Sequence, residues 1–424
     1  MLLTRVFTMP DVRRRLLVTL LAVLLFRLGQ HLPLPGVDVT AVAAADRPDG
    51  RLPGLLDLLT GGGLANLSVF AFGVLPMIAA HWVLVLGGIL LPRLRAAAEA
   101  GRAGEALLAR HARYVAVLLG AGSAVLVVRM AVDGRPPLAG AGTDVLRDTG
   151  ALTQITLVAC LTAGTAVVLW LSATITHRGF GEGLSLLLLA QVAAVFPGQV
   201  REVARAHGGW AGAVAPLSLL LALALATALV VTVRHSVRRV PVQYAKRMIG
   251  RRAYGGTTAY VPIHGGRGGF DAMLLGSLLL LLPAPPAPWL VAAYALVVLV
   301  GVFLRGALGF DAVGIADRMK RQGGFVPGIR SGRPTAEYLS YVHLRVTLAG
   351  AVATTLAALL LAGVLALPGL HAPGAALGVT TLVVVVRLGV DTVLPTARQI
   401  GSRIRRPDLP PLGGPGGRGE KAAT

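Results

Sequence analysis

The chain contains one cysteine, Cys160. No disulfide can close within it, and no thiolate cluster can hold zinc or an iron–sulfur centre. Inside an apolar run, Cys160 reads as a small packing group. Acidic residues are scarce too. The chain has 19 Asp and Glu against 40 Lys and Arg, and charged residues of both signs make up only 14% of it, where soluble domains average about 25%. Catalytic patterns are missing: the nine histidines are scattered, with no HExxH, no GxSxG and no paired-Asp motif, so no enzyme is legible. The absence of a GxxxxGK phosphate loop excludes ATP hydrolysis by this chain and places any driving force in a partner or in the membrane potential. No cofactor or metal is expected.

Apolar sequence is abundant. Hydrophobic residues make up 55% of the chain and glycine occupies 54 positions, as expected where helices in lipid pack by close backbone approach. The net charge of +21 resembles that of a nucleic-acid binder until the basic residues are located. They cluster at Arg13–Arg15, Arg93–Arg113, Arg234–Arg252, Arg305–Arg345 and Arg398–Arg406, and separate apolar stretches. A bilayer core about 30 Å thick takes about 20 apolar residues per helix. Ten such stretches lie near 16–33, 68–91, 113–132, 152–175, 184–199, 213–233, 269–285, 289–309, 344–367 and 375–394. With the N-terminus in the cytoplasm, 31 Lys and Arg fall inside and seven outside, with Arg27 and Arg387 within spans. That is the positive-inside bias, and an odd number of spans would break it. Both termini are therefore expected in the cytoplasm. Arg27 and Arg387 lie near span ends, where they can snorkel to the interface. The Arg13–Arg15 cluster before Leu16–Phe26 resembles a signal peptide, but the spacer to Ala43–Ala45 is too long and holds Arg27 and a Pro-Leu-Pro run. An uncleaved first span fits better.

Two kinds of loop stand apart. In the outer segment 34–67, Leu55-Leu56-Asp57-Leu58-Leu59 forms about one and a half helical turns before Gly61-Gly62-Gly63. It is too short to span and too apolar for a free loop. It fits a cavity lined by protein, where non-helical backbone is tolerated at membrane depth; a helix lying on the membrane surface is the alternative, and composition leaves both open. On the cytoplasmic side, Arg234–Arg267 carries eight Lys and Arg without an acid, interleaved with Tyr244, Tyr254 and Tyr260. Such a loop suits contact with ribosomal RNA, although topology alone accounts for its charge.

Five stretches resemble one family. FRLGQHLPLPGVD (Phe26–Asp38), GGGLANLSVFAFGVLPMI (Gly61–Ile78), WLSATITHRGFGEGLS (Trp170–Ser185), RRVPVQYAKRMIGRRAYGGTTAYVPI (Arg238–Ile263) and RMKRQGGFVPGIRSGRPTAEYL (Arg318–Leu339) occur in the order and spacing of the SecY/Sec61-alpha protein-translocation channels. The likeness spans roughly residues 10 to 405, and the PVQYAKR and GGFVPGIR loops are its most specific parts. It implies an all-α polytopic membrane protein whose ten helices form two pseudosymmetric halves around a central pore. These would be residues 16–199 and 200–396, between cytoplasmic ends 1–15 and 397–424. It implies a plug at about 55–64, with Leu55, Leu56, Leu58, Leu59 and Leu64, and a pore ring of Val74, Ile78, Leu184, Leu188, Leu274 and Val383. Branched aliphatics suit that ring because an apolar constriction gates by dewetting. A lateral gate would open between spans two and three and spans seven and eight, with Asn66, Ser68, His81 and Ser277 along its seam.

The resemblance further implies motor or ribosome contacts at Lys246, Arg247, Arg251, Arg252 and Arg330. Its partners would be the SecE and SecG subunits, the SecA motor ATPase, the ribosome, SecDF, YidC, signal sequences of exported and membrane proteins, and membrane lipid. Its location would be the bacterial cytoplasmic membrane. The chain departs from the family's usual residues at Met77, Ser172-Ala173, Glu182, Gly266, Asp271-Ala272 and Ser331, which keeps a divergent accessory copy as an alternative. A solute transporter is the alternative of another class. Transporters place ionisable groups near mid-membrane, and of the Asp, Glu, Lys and Arg residues only Arg27 and Arg387 lie more than five residues inside a span here. From the charge bias, reporter fusions after Arg95, Arg251 and Arg330 are expected to read cytoplasmic, and fusions near Asp49 and Arg135 external. An external signal at Arg251 would refute the ten-span topology.

Overall fold

The computed structural model of the protein describes residues 10–44, 56–57, 59–99, 101–134, 146–206, 237–244, 247–249, 252–254, 258–264, 288–308 and 310–365, with five further helical positions between 221 and 232. The first element, α1 (Pro10–His31), opens with proline at its start and Asp11 in its first turn, both suited to a helix N-terminus. Its outward face carries Leu17, Leu20, Leu21, Leu24 and Leu28, all exposed, while Thr19, Ala22, Phe26, Gly29 and Gln30 are buried. The apolar stripe of a soluble helix faces a core. Here it faces outward and the small and polar residues face in, as a bilayer demands.

The chain then turns through 32–38, pairs Pro33 with Ser68 and Val37 with Leu146, and forms the short α2 (Val39–Ala44). Asp38 at this bend accepts hydrogen bonds from the Thr40 hydroxyl and from the Thr40 and Ala41 amides. These bonds, the Thr40 hydroxyl first, hold its carboxyl below the usual range. Asp148 is lowered in the same way, first by the Thr153 hydroxyl and then by the Gly150 amide.

Six further helices follow the apolar stretches: α3 (Leu75–Leu90), α5 (Gly101–Val132), α6 (Ala151–Arg178), α7 (Gly183–Ala206), α8 (Pro288–Leu308) and α10 (Arg333–Leu365). Between them run α4 (Pro92–Glu99) and α9 (Ala312–Arg321). Ala106–Val132, Ala151–Arg178 and Arg333–Leu360 are long and apolar enough to cross a membrane, and the apolar parts of α3, α7 and α8 are shorter. The 32 residues of α5 extend about 48 Å, well beyond the hydrocarbon core, and their Arg-bearing start is the part in excess. Expected spans 213–233, 269–285 and 375–394 lie outside the described residues, apart from those five positions.

The second span begins later than expected. Its apolar run starts near residue 68, yet residues 61–74 fold as successive turns and the helix starts at Leu75, with a proline in its first turn. Gly73, at φ +51, cannot continue a right-handed helix. The turns are bound to neighbouring backbone: Val69 N–H donates to Leu32 O at 2.9 Å, and Phe70 N–H to Gly29 O at 3.2 Å. α6 passes so close that a Cβ on Gly164 would sit 2.0 Å from the Val69 carbonyl oxygen.

The basic segments expected as cytoplasmic loops contain five short strands. β1 (Val237–Tyr244) pairs antiparallel with β4 (Thr258–His264), in register Val240 with Val261, and with β5 (Gly324–Phe325), while β2 (Arg247–Ile249) pairs with β3 (Arg252–Tyr254). Along β1, Val240 and Val242 are buried while Arg239, Pro241 and Gln243 are exposed. The period-two pattern was present but too short to stand out between arginines. The buried side packs with Ile263, Ala312, Met319, Val326 and Leu339 in a small apolar cluster.

The contact at Gly164 is the tightest on α6. Gly164→Val is expected to lower the thermal unfolding midpoint of the purified protein by several degrees, about 1–3 kcal/mol of overpacking. Gly122→Val, which has open space around it, serves as the matched control and should leave the midpoint nearly unchanged.

Candidate functional site

At the centre of the helices, Val74 and Ile78 lie one turn apart at the start of α3, and Leu184 and Leu188 one turn apart at the start of α7. Each pair shares a helix face. Val74, Ile78 and Leu188 are buried and Leu184 half-buried, and all four belong to one apolar cluster. Phe26 of α1, Leu171 and Ile175 of α6, Leu187 and Val192 of α7, and Tyr294, Val298 and Val302 of α8 complete it. Leu274 and Val383 lie outside the described residues.

Leu59 of the apolar segment before the glycines joins this same cluster, 2% exposed. Leu64 and Leu56 face elsewhere, packing with Leu34, Phe72, Val128, Leu146, Leu157 and Leu161 against α5 and α6. Leu55 and Leu58 lie outside the described residues. The six aliphatics expected in a ring and the five leucines expected in a plug therefore have unlike surroundings: four of the six and Leu59 share one core, whereas Leu56 and Leu64 pack against the wall.

A polar group borders the apolar cluster. The Gln30 and Gln191 side chains are fully buried. Gln30 Nε2 donates to Thr60 O at 2.9 Å and to Gln191 Oε1 at 3.4 Å, and Gln191 Nε2 donates to Leu59 O. Arg27 Nη1 donates to Gln30 Oε1 at 2.6 Å and to Gly61 O at 3.3 Å. Arg27 thus turns inward to the glycine hinge and does not snorkel as expected from its place near a span end. Its half-buried charge is matched by carbonyl and amide oxygens. Sequence reasoning passed over Gln30 and Gln191. The available signal was two glutamines inside otherwise apolar spans, where polar groups are costly unless paired.

The expected seam residues divide as well. Ser68 is buried, and its Oγ donates to Gly63 O at 3.0 Å, so it fastens the glycine turn. His81 and Asn66 are half-buried, and Ser277 lies outside the described residues. Trp82 of α3 shares the central cluster with Tyr294 and Val298 of α8.

In the basic loops, the two most specific sequence motifs meet. Gln243 pairs with Phe325, and Tyr244 with Gly324. The tip beyond them turns at Gly323, Gly328 and Gly332, all at positive φ, while Gly324 is extended. Arg330 is exposed at this tip, and its carbonyl accepts from the Thr335 hydroxyl at 2.7 Å. Glu337 pairs with Arg333 at 3.1 Å. Arg330 stands on the same small domain as exposed Arg238, Arg239, Tyr260 and Phe325. Arg247 and Arg252 lie in the β2–β3 hairpin, and Lys246 and Arg251 outside the described residues.

A sequence profile of the SecY family matches residues 68–393. The chain belongs to the SecY family. The protein translocase subunit SecY of Streptomyces galbus is 37% identical over 437 residues, covering 95% of this chain and 97% of the relative. That of Mycobacterium tuberculosis is 33% identical over 428 residues, covering 93% and 96%. Among solved structures, a protein-conducting channel shares the fold with a TM-score of 0.61 at 14% identity, over 94% of this chain and 95% of the other. Sec61 in a canine ribosome–channel complex does so with a TM-score of 0.56 at 12% identity, over the same shares. The SecY/Sec61 fold implied by the motifs is the fold that these chains share, and the protein is a multi-pass membrane protein.

The apolar cluster generates a direct expectation. Replacing Ile78 and Leu188 together with serine removes two apolar faces from this cluster, and wetting a short apolar gate needs only a few such losses. The purified double variant should pass ions through planar bilayers at rest, where the parent chain is tight. A tight double variant would mean that these side chains do not line the pore.

Proposed function

We propose that this protein is the channel-forming subunit of a bacterial protein translocase, passing unfolded polypeptides across the cytoplasmic membrane and, through a lateral gate, into it. The observation that carries this reading is family membership over most of the chain together with one apolar core that collects Val74, Ile78, Leu184 and Leu188 from two helix starts and receives Leu59. An apolar constriction admits any side chain while excluding hydrated ions. Val74, Ile78, Leu184, Leu188, Leu274 and Val383 form the ring, and the segment 55–64 is the plug that fills the outer funnel. A related solved structure describes such a plug as stabilising the closed state and maintaining a membrane seal. Residues 16–199 and 200–396 supply the two halves, both termini face the cytoplasm, and the protein is a channel without catalytic chemistry of its own.

Energy enters through partners. Arg330 on the exposed tip, together with Lys246, Arg247, Arg251 and Arg252, forms the docking surface for the SecA motor and the ribosome. Support comes from the ribosome-bound state of two related channels, canine Sec61 and yeast Ssh1, and from an Arg330 side chain that leaves Glu337 to Arg333. A guanidinium so presented can bind a carboxylate or a backbone carbonyl on a partner. SecE and SecG complete the channel, and SecDF and YidC act beside it.

Two measurements test this. Arg330→Glu should abolish motor-driven export into membrane vesicles while the amount of channel stays constant; normal export from that variant would remove Arg330 from the contact. Deleting residues 56–61 should increase export of a reporter with a crippled signal sequence, since losing an element bound only in the closed state shifts the equilibrium toward opening. No increase in a stably assembled channel would refute the plug assignment.

A further inference from the structure

The helical turn that ends at Thr60 terminates inside the molecule, and helix termini leave carbonyls that need partners. Part of the need is met within the segment. Gly62 N–H donates back to Asp57 O at 2.9 Å, and Thr60 Oγ1 to Leu56 O at 2.7 Å. With Gly61 at φ +69, this is the reversal that closes a helix through a left-handed glycine. Gly63 N–H likewise donates back to Thr60 O at 3.3 Å. Three successive carbonyls, those of Leu59, Thr60 and Gly61, each receive a side-chain donor from outside the segment: Gln191, Gln30 and Arg27 respectively.

The donors come from two different walls. Arg27 and Gln30 lie on α1, and Gln191 lies on α7, three residues beyond Leu188 of the apolar ring. The glycines here make room for the amides. A Cβ on Gly61 would lie 2.5 Å from Gln30 Nε2 and 2.8 Å from Gln191 Cβ, and one on Gly73 would lie 2.6 Å from Gln191 Oε1. We propose that Gln191, Gln30 and Arg27 are positioning residues that form a latch, holding the plug shut by capping its last three carbonyls, so that their number and strength set how readily this channel opens. The proposal rests on the plug reading above.

The arrangement suits a contact that must break and re-form. When the segment withdraws, its three carbonyls can meet water in the outer funnel. Arg27 also donates to Gln30 Oε1 at 2.6 Å and Gln30 Nε2 to Gln191 Oε1 at 3.4 Å, so both donors have an acceptor besides the segment. Gln191 Nε2 donates to Leu59 O and gives up that acceptor when the segment withdraws, so the cost of an unpaired donor falls on the open state. The latched carbonyls lie between Leu56 and Leu64, which pack on the wall of α5 and α6 in this closed arrangement.

The test uses the intact channel complex purified from its own membrane, recorded in planar bilayers. Gln191→Leu removes the donor while keeping bulk, and Gln191→Glu keeps the shape but has no N–H to give. Loss of one such bond should raise the resting open probability about fivefold to tenfold in both variants. In a channel lacking residues 56–61, the same substitutions should change nothing further. A plugless channel that opens while both Gln191 variants stay as tight as the parent would overturn the latch and leave the plug intact as an assignment. Equal leakage with and without the plug would also overturn it, since the substitutions would then act on the ring. A plugless channel as tight as the parent would overturn the plug reading itself, and the latch with it.

Discussion

Backbone amides and carbonyls find no water in the interior of a bilayer, and every unusual feature of this molecule depends on how that constraint is met. Helices meet it within themselves. The segment from residue 56 to 74 does not, because it is a single helical turn followed by a chain of glycine turns. It persists at that depth because other protein groups supply the bonds: the backbone of Gly29 and Leu32, the Ser68 hydroxyl, and the side chains of Arg27, Gln30 and Gln191. A segment held this way is bound by exchangeable hydrogen bonds at its glycine turns and by apolar side chains on both sides of them, Leu59 in the central core and Leu56 and Leu64 against the wall.

The same solvent explains the division of labour between the two ends of the protein. Inside the bilayer the chain has little freedom to place charge, so the central core is built from aliphatics, and Arg27, Gln30 and Gln191 are bonded to one another. Beyond the bilayer, water permits a different solution. The basic loops fold around their own small core of Val240, Val242, Ile263, Met319 and Leu339, the last from the start of α10. The excess positive charge there stays at the surface, with Arg238, Arg239 and Arg330 exposed.

Much of this was legible before any coordinates. The alternation of basic clusters with apolar stretches marked membrane spans, because charge transfer into lipid is costly whatever the fold. The GGFVPGIR and PVQYAKR stretches identified the family. Less visible was the short pairing of Gln243 with Phe325 and Tyr244 with Gly324, since a two-residue strand has no periodicity to read and its partner lies about eighty residues away in sequence.

Sequence by itself therefore determined what depends on solvent: which segments are apolar enough to enter the bilayer, and that a glycine-hinged apolar piece is too short to cross it. Tertiary structure alone decided what depends on meeting across the chain. It turned Arg27 inward, started the second span's helix at Leu75, sent Leu59 to the central core and Leu56 and Leu64 to the wall, and brought Gln30 and Gln191, 161 residues apart, onto neighbouring carbonyls. A hydrogen bond forms over about 3 Å, and no local pattern of residue types records which distant groups will come that close.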